Sequence, residues 1–278
     1  MQVLVLGSLA RAFPADRFIA EESGGELLAA GAQTRSAVMA AVGAHAPSAI
    51  SEAEALQTLD LGGTGLADGW SRTGRTWVLD PVDGTKGFLR GDQFAVALSL
   101  LDGGVPVLGL LGCPNMGPSG ALFWAERGNG AQWGATHGDA AAAAAAPLRV
   151  TDPGPGALVR CEAFEAAHTD FGAAEAIAAK LGITAAPIRM DGQGKYGMLA
   201  RGDAHVFTRL PRVGYQENIW DHAAGALIVS EAGGRVSDTL GRELDFSNGA
   251  KLDASVTGIV ASNGVVHEQL LEVLSQVL

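Results

Sequence analysis

The stretch 77–89, reading WVLDPVDGTKGFL, constrains this chain more than any other. An apolar, strand-like run ends on Asp80, Pro81 bends the chain, and Asp83, Gly84 and Thr85 follow before a further segment opens. Two carboxylates and a hydroxyl are thereby brought to one strand end. Side chains that offer only oxygen suit hard divalent cations such as Mg²⁺, and a phosphate held by such ions is open to attack by water. The same letters also make an ordinary turn, because Asp-Pro and Asp-Gly are common turn formers. The motif therefore needs partners elsewhere in the chain.

Residues 3–12 are apolar at most positions and predict a helix closed by Pro14, and 17–20 predict a short strand that delivers Glu21 and Glu22. An Ala-rich segment, 26–50, is helix-compatible, and 62–74 is a glycine-heavy loop. Beyond the opening motif, 94–101 and 105–113 flank Asp102-Gly-Gly and read as a β-hairpin, which 122–125 and 130–133 extend into an antiparallel sheet. The low-complexity run 140–146, closed by Pro147, reads as a surface junction between an N-terminal α+β half, 1–145, and a C-terminal half, 146–278. In that second half a helix over 171–181, a strand over 204–208, a helix over 221–232, a strand over 258–261 and a helix over 265–278 alternate in α/β fashion.

A chain of 278 residues with 47% hydrophobic and 18% charged residues can bury a sizeable core and reads as a folded enzyme-sized protein. The net charge of −11, with no basic run to offset it, disfavours a nucleic-acid polymer or an anionic membrane as partner. Cys113 and Cys161 are the only cysteines, without zinc spacing, so the default is a reducing compartment. No apolar stretch reaches the roughly 18 residues that span a bilayer, and MQVLVLGSLARAF lacks the basic start of a secretory signal. A soluble, cytoplasmic protein is expected.

A further carboxylate, Asp221, precedes an apolar helix that stops at Gly233-Gly234. It can cap that helix, or it can project into a cleft and complete a four-carboxylate cage with Glu21, Asp80 and Asp83. Thr85, beside Gly84 at a helix start, has the same two roles open: a cap, or a hydroxyl facing a phosphate.

EES at 21–23, DPVDGT at 80–85 and WDHAAG at 220–225 resemble, in order and separation, the three signatures of the lithium-sensitive, magnesium-dependent phosphatases related to inositol monophosphatase. GTKGFLRGDQFAVAL, GCPN at 112–115 and GYQENIWDHAAG are similar, within that superfamily, to the 3′(2′),5′-bisphosphate nucleotidases, plant and algal members above all, where an inositol phosphatase more often has GTTNF. The resemblance runs from about Phe13 onward. It implies a layered αβαβα sandwich of the inositol monophosphatase and fructose-1,6-bisphosphatase type, with the active site between the metal-binding first half and the nucleotide-binding second half. Glu21, Asp80, Asp83, Asp221 and the main-chain carbonyl of Val82 would hold about two or three Mg²⁺ ions, Asp80 bridging. Glu21 and Thr85 would be catalytic, orienting the attacking water. Gly84, Thr85, His168, Gly192, Lys195, Arg209 and Asp221 would contact the nucleotide, whereas alone Lys195 and Arg209 read as solvated surface charges.

The reaction so implied is removal of the 3′-phosphate from adenosine 3′,5′-bisphosphate, or from its sulfated precursor, by a monomer in the cytoplasm, chloroplast or mitochondrion. Two departures stand out. Gly192 replaces a serine usual in the family, removing a hydroxyl contact. Relatives also carry helices before the position of Phe13, including an aspartate that helps activate the nucleophile; its absence here implies metal binding with reduced turnover. The alternatives are an inositol polyphosphate 1-phosphatase or inositol monophosphatase, and a nucleotide-sensing protein without catalysis.

Overall fold

The computed structural model describes residues 1–66, 74–138, 144–154, 156–164, 171–211 and 214–278. Period-two apolar patterning builds a seven-stranded sheet from β1 (Arg17–Ala20), β2 (Arg75–Asp83), β3 (Ala95–Asp102), β4 (Val105–Cys113), β5 (Ala121–Glu126), β6 (Gly130–Gly134) and β7 (Ala146–Pro147), in that spatial order. β1 is parallel to β2, and each later neighbour is antiparallel. The hairpin and its two-strand extension form as the sequence predicts. The Ala-rich junction differs from expectation: its end is the edge strand β7, paired with Gln132 and Trp133, where a proline is tolerated. Residues 139–143 lie outside the described residues.

Alternation sends the side chains of β3 to two layers. Val96, Leu98 and Leu100 pack with Leu6 and Leu9 of α1 (Gln2–Ala12), Phe18, Trp77 and Leu79. Helices α2 (Gly24–Ala29), α3 (Gly31–His45) and α4 (Glu52–Asp60) complete this outer layer. The helical segment expected over 26–50 is thus two helices. A capping box between Ser23 and Glu26 starts the first, and the chain turns at Gly31 before the second.

On the other face of β3, Ala95 and Ala97 join a core that includes Tyr196 and Leu199 of α7 (Gly194–Arg201), Leu227 and Ile228 of α8 (Ala223–Glu231), and Cys161, Phe207 and Ala261 of a second sheet. Each large side chain buried there contributes about 1.5–3 kcal/mol. The second sheet comprises β8 (Arg160–Glu162), β9 (Ile188–Arg189), β10 (Val206–Arg209), β11 (Arg235–Asp238) and β12 (Ile259–Ser262), ordered β11-β12-β10-β8-β9. Its far face is covered by α6 (Phe171–Lys180) and α9 (His267–Val277), through Ile177, Leu270 and Leu274 against Val206 and Val260. Helices, sheet, helices, sheet and helices give the five layers of the expected αβαβα sandwich. One further short helix, α5 (Thr85–Arg90), follows β2. Among the described residues, no helix is long and apolar enough to cross a membrane.

Candidate metal and phosphate site

Residue parity aims β2 at the site. Val78 packs with Ile219 in the core between the sheets, and Asp80, two residues on, shares that face. Ile219 opens a 3₁₀ turn, Ile219–Asp221, so Asp80 faces Asp221. The register of β2 on β3 breaks between Asp80 and Asp83, and the Asp80 Oδ1 accepts a 3.0 Å bond from the Val82 N–H. This Asx turn carries the chain over Pro81 and turns Asp83 inward as well. Glu21 follows β1, and its N–H donates to Leu79 O at 3.3 Å, which sets it beside the end of β2.

These residues line a cavity of about 290 Å³. Of the residues singled out in the sequence, Glu21, Asp80, Val82, Asp83, Gly84, Thr85, Gly192, Lys195, Arg209 and Asp221 all border it. His168 lies outside the described residues. Larger hollows of about 440 and 640 Å³ lie under α1 and behind the β3–β4 turn. The carboxylate clusters among the described residues both contain Asp221, and so belong to the smaller cavity.

Asp80, Asp83 and Asp221 each offer an oxygen, all within 4.8 Å of one another. Asp80 is 2% exposed, and burial, then the charges of Asp83 and Glu21, push its carboxyl up to about 11. Burial and the Asp221 charge push Asp83 up to about 6, against the pull of Lys195, Arg209 and the Gln193 N–H, which donates to Asp83 Oδ2 at 2.7 Å. Glu21 opens to solvent on one side while protein crowds the other; burial raises it too, although it is hydrogen-bonded to Asp80. Carboxylates gathered so closely retain protons that a cation would displace. An all-oxygen set with that excess of negative charge fits a hard divalent ion such as Mg²⁺.

The structure decides among the local roles that the letters leave open. Asp221 does not cap α8: the helix begins at Ala223 after His222, and Asp221 Oδ2 instead accepts from Arg209 Nη2 at 3.2 Å. Nor does Thr85 cap α5. Its hydroxyl donates back to Val82 O at 3.3 Å, and Gly84 is the residue before the helix. Lys195 and Arg209 are not solvated surface charges. Lys195 is 5% exposed and donates to Gly192 O at 2.7 Å and Met190 O at 3.2 Å, which leaves one N–H of three for a ligand. Burial lowers its pKa and the Asp83 charge partly restores it.

Gly192 has a backbone reason as well. Its φ is +71°, and an added Cβ would lie 2.4 Å from Asp83 O, so a side chain cannot enter without moving Asp83.

The sequence reading passed over Gln193 and Glu217. Gln193 is 2% exposed; besides its N–H to Asp83, its Nε2 donates to Trp220 O at 2.7 Å and its Oε1 accepts from Gly225 N–H at 3.1 Å. It ties the end of β2 to the start of α8. Glu217, buried, accepts from Arg209 Nε at 2.8 Å through Oε1, pairs with Arg209 Nη2 at 2.7 Å through Oε2, and faces His222 Nε2 at 3.1 Å. Burial opposes its charge, but the His222 and Arg209 contacts outweigh it and hold Glu217 at about 2. Gln193 follows Gly192 directly and Glu217 lies within GYQENIWDHAAG, yet only the contacts give them roles.

Fold and site together define a layered αβαβα scaffold with a cluster of carboxylates between its two sheets. Residues 1–278 match the inositol monophosphatase family, and the chain belongs to it. A protein from Schizosaccharomyces pombe named 3′(2′),5′-bisphosphate nucleotidase is 37% identical over 292 residues, covering 99% of this chain and 82% of its own length. One of the same name from Oryza sativa is 46% identical over 220 residues, covering 74% of this chain and 60% of its own length, so the chain spans less than two thirds of that relative. Among solved structures, the extragenic suppressor protein suhB from Bartonella henselae has the same fold, with a TM-score of 0.64 at 23% identity over 99% of this chain and 82% of that one.

Proposed function

We propose that this chain is a Mg²⁺-dependent phosphatase that removes the 3′-phosphate from adenosine 3′,5′-bisphosphate, leaving AMP. The observation that carries the proposal is the convergence of Asp80, Asp83 and Asp221 within 4.8 Å, with the Arg209 cation against Asp221. The names of the relatives support the substrate class.

Asp80, Asp83, Asp221, Glu21 and the Val82 carbonyl would hold the ions. When bound, Mg²⁺ supplies charge that neutralises the phosphate and the leaving oxygen. The protein's own part is positioning. Glu21, at the edge of the cavity, is suited to orient the attacking water and accept its proton as the new P–O bond forms, while the bond to the ribose 3′ oxygen breaks and that oxygen takes up a proton from solvent. Thr85 Oγ, directed by its bond to Val82 O, keeps lone pairs to orient that water. Arg209 and Lys195 offer positive charge to an anionic nucleotide, and Gly192 brings its main chain, rather than a hydroxyl, to the pocket wall.

The test is phosphate release from adenosine 3′,5′-bisphosphate with Mg²⁺, challenged by Li⁺. Release that Mg²⁺ supports and Li⁺ inhibits is expected. Preference for inositol 1-phosphate would overturn the substrate assignment and spare the chemistry; tight nucleotide binding without release would overturn catalysis.

A further inference from the structure

We infer that Glu217 is a positioning residue, fixed from behind by His222 and Tyr196, that holds the Arg209 guanidinium at the pocket and keeps it from collapsing onto Asp221. The inference rests on the proposed nucleotide phosphatase reading. Glu217, Asp221 and His222 bring potential ligand atoms within 4.8 Å, which by itself resembles a second cation site. The contacts argue otherwise. Arg209 already places Nε and Nη2 on the two Glu217 oxygens, at 2.8 and 2.7 Å, and this fork fixes the plane of the guanidinium. The cluster has its cation built in.

Glu217 is itself immobilised. Its carboxylate is ionised and can only accept, so His222 Nε2 carries the hydrogen of their 3.1 Å contact. The other ring nitrogen, Nδ1, lies 2.8 Å from the Tyr196 hydroxyl, within hydrogen-bond distance. Tyr196 is 1% exposed, its ring edge-on to Phe207 with centroids 5.2 Å apart. It reaches His222 because α8 has glycine at position 225, where an added Cβ would lie 2.3 Å from Tyr196 Cδ2. The chain of contacts thus runs from the core through Tyr196, His222 and Glu217 to Arg209, and ends on Asp221 at 3.2 Å.

The same Nη2 touches Glu217 and Asp221. With Glu217 in place, the stronger share of that cation is held away from Asp221, whose carboxylate remains open to a divalent ion. Without it, Arg209 turns its fork to Asp221, competes with the ion and leaves the nucleotide.

Glu217→Gln is expected to raise KM for adenosine 3′,5′-bisphosphate about tenfold or more, the loss typical of a charged hydrogen bond, with kcat changed far less. Mg²⁺ titration by calorimetry is expected to show weaker binding. In an Arg209→Met background the same change should cost almost nothing further, because Glu217 acts through Arg209. Additive losses would overturn the inference. A readout independent of turnover is the Arg209 Nε–H resonance in the metal-free protein: protected from exchange in the native chain, lost in Glu217→Gln, and weakened in Tyr196→Phe, which removes one hydroxyl and leaves the core filled. An Nε–H signal indifferent to both changes refutes the mechanism. If the native chain releases no phosphate from the bisphosphate, the functional reading fails, while the resonance still decides whether Glu217 fixes Arg209.

Discussion

Replacing Asp80 by asparagine is expected to stabilise the metal-free protein while destroying its response to Mg²⁺. Asp80 is buried at the end of β2, and burial together with Asp83 and Glu21 lifts its carboxyl from an ordinary 3.8 to about 11. The folded state therefore binds a proton that the unfolded chain releases above pH 4. Stability contributed at this position is lost as pH rises from about 4 toward 11, because the native state carries the extra proton throughout that window. At neutral pH, the cost of carrying it spans about three pH units at roughly 1.4 kcal/mol each, or about 4 kcal/mol, and it depends on the folded pKa only in that it lies well above 7. Asparagine is neutral without a proton, and its amide oxygen can still accept from the Val82 N–H.

Urea denaturation in EDTA should show the variant more stable than the native chain by up to about 4 kcal/mol at pH 7, by more at pH 8, and by little at pH 4. With Mg²⁺ in hundredfold excess over Kd, the native protein should gain about 2.7 kcal/mol and the variant almost nothing. If Asp80→Asn is less stable than the native chain in EDTA at pH 8, or if Mg²⁺ stabilises both alike, the argument for a crowded, cation-seeking carboxylate is wrong.

Other predictions follow from single sites. Gly192→Ser, which would restore the family's hydroxyl, should destabilise by about 1–3 kcal/mol and weaken Mg²⁺ binding, since φ is positive and the new Cβ would press on Asp83 O; equal urea midpoints and equal calorimetric affinity would count against the strain. His267 is fully buried between Ser237 and Ser262, and burial, helped by the Arg235 charge, lowers it to about 4. Its folded pKa lies below the ordinary 6.5, so its contribution is complete above pH 6.5 and lost as pH falls toward 4; melting curves across that range should steepen less in His267→Gln. Gln193→Ala should lower Mg²⁺ affinity and leave the orphaned Gly225 N–H exposed to faster hydrogen exchange, and unchanged exchange would refute the tie between β2 and α8.

Local grammar made much of this fold readable. Alternating apolar residues around Asp102-Gly-Gly specify the hairpin, whereas Asp80-Pro81, which the letters read as a strand end, only breaks the register of β2 on β3, and the strand runs on to Asp83. The break between α2 and α3 was hidden, because alanine is compatible with one helix or two and the turn at Gly31 leaves little mark in so Ala-rich a segment. The edge strand β7 was hidden for a similar reason: Ala-Pro has no strand signal, and only the neighbouring β6 gives it one. Local letters alone leave Lys195 and Arg209 looking like solvated charges, because burial of a charge depends on partners chosen by packing: Asp83, from the other sheet, for Lys195, and Glu217 with Asp221, from the turn before α8, for Arg209.

The sequence by itself determined which residue types stand at the end of β2 and before α8, since acidic oxygens and turn-forming neighbours are properties of a few adjacent letters. Tertiary structure alone decided that Asp80 and Asp221 face each other, that Gly192 admits no side chain, and that Glu217 rather than solvent accompanies Arg209. Each of those depends on distances between segments more than a hundred residues apart, or on side-chain partners chosen by packing, and electrostatic and steric energies vary with distance in space rather than along the chain.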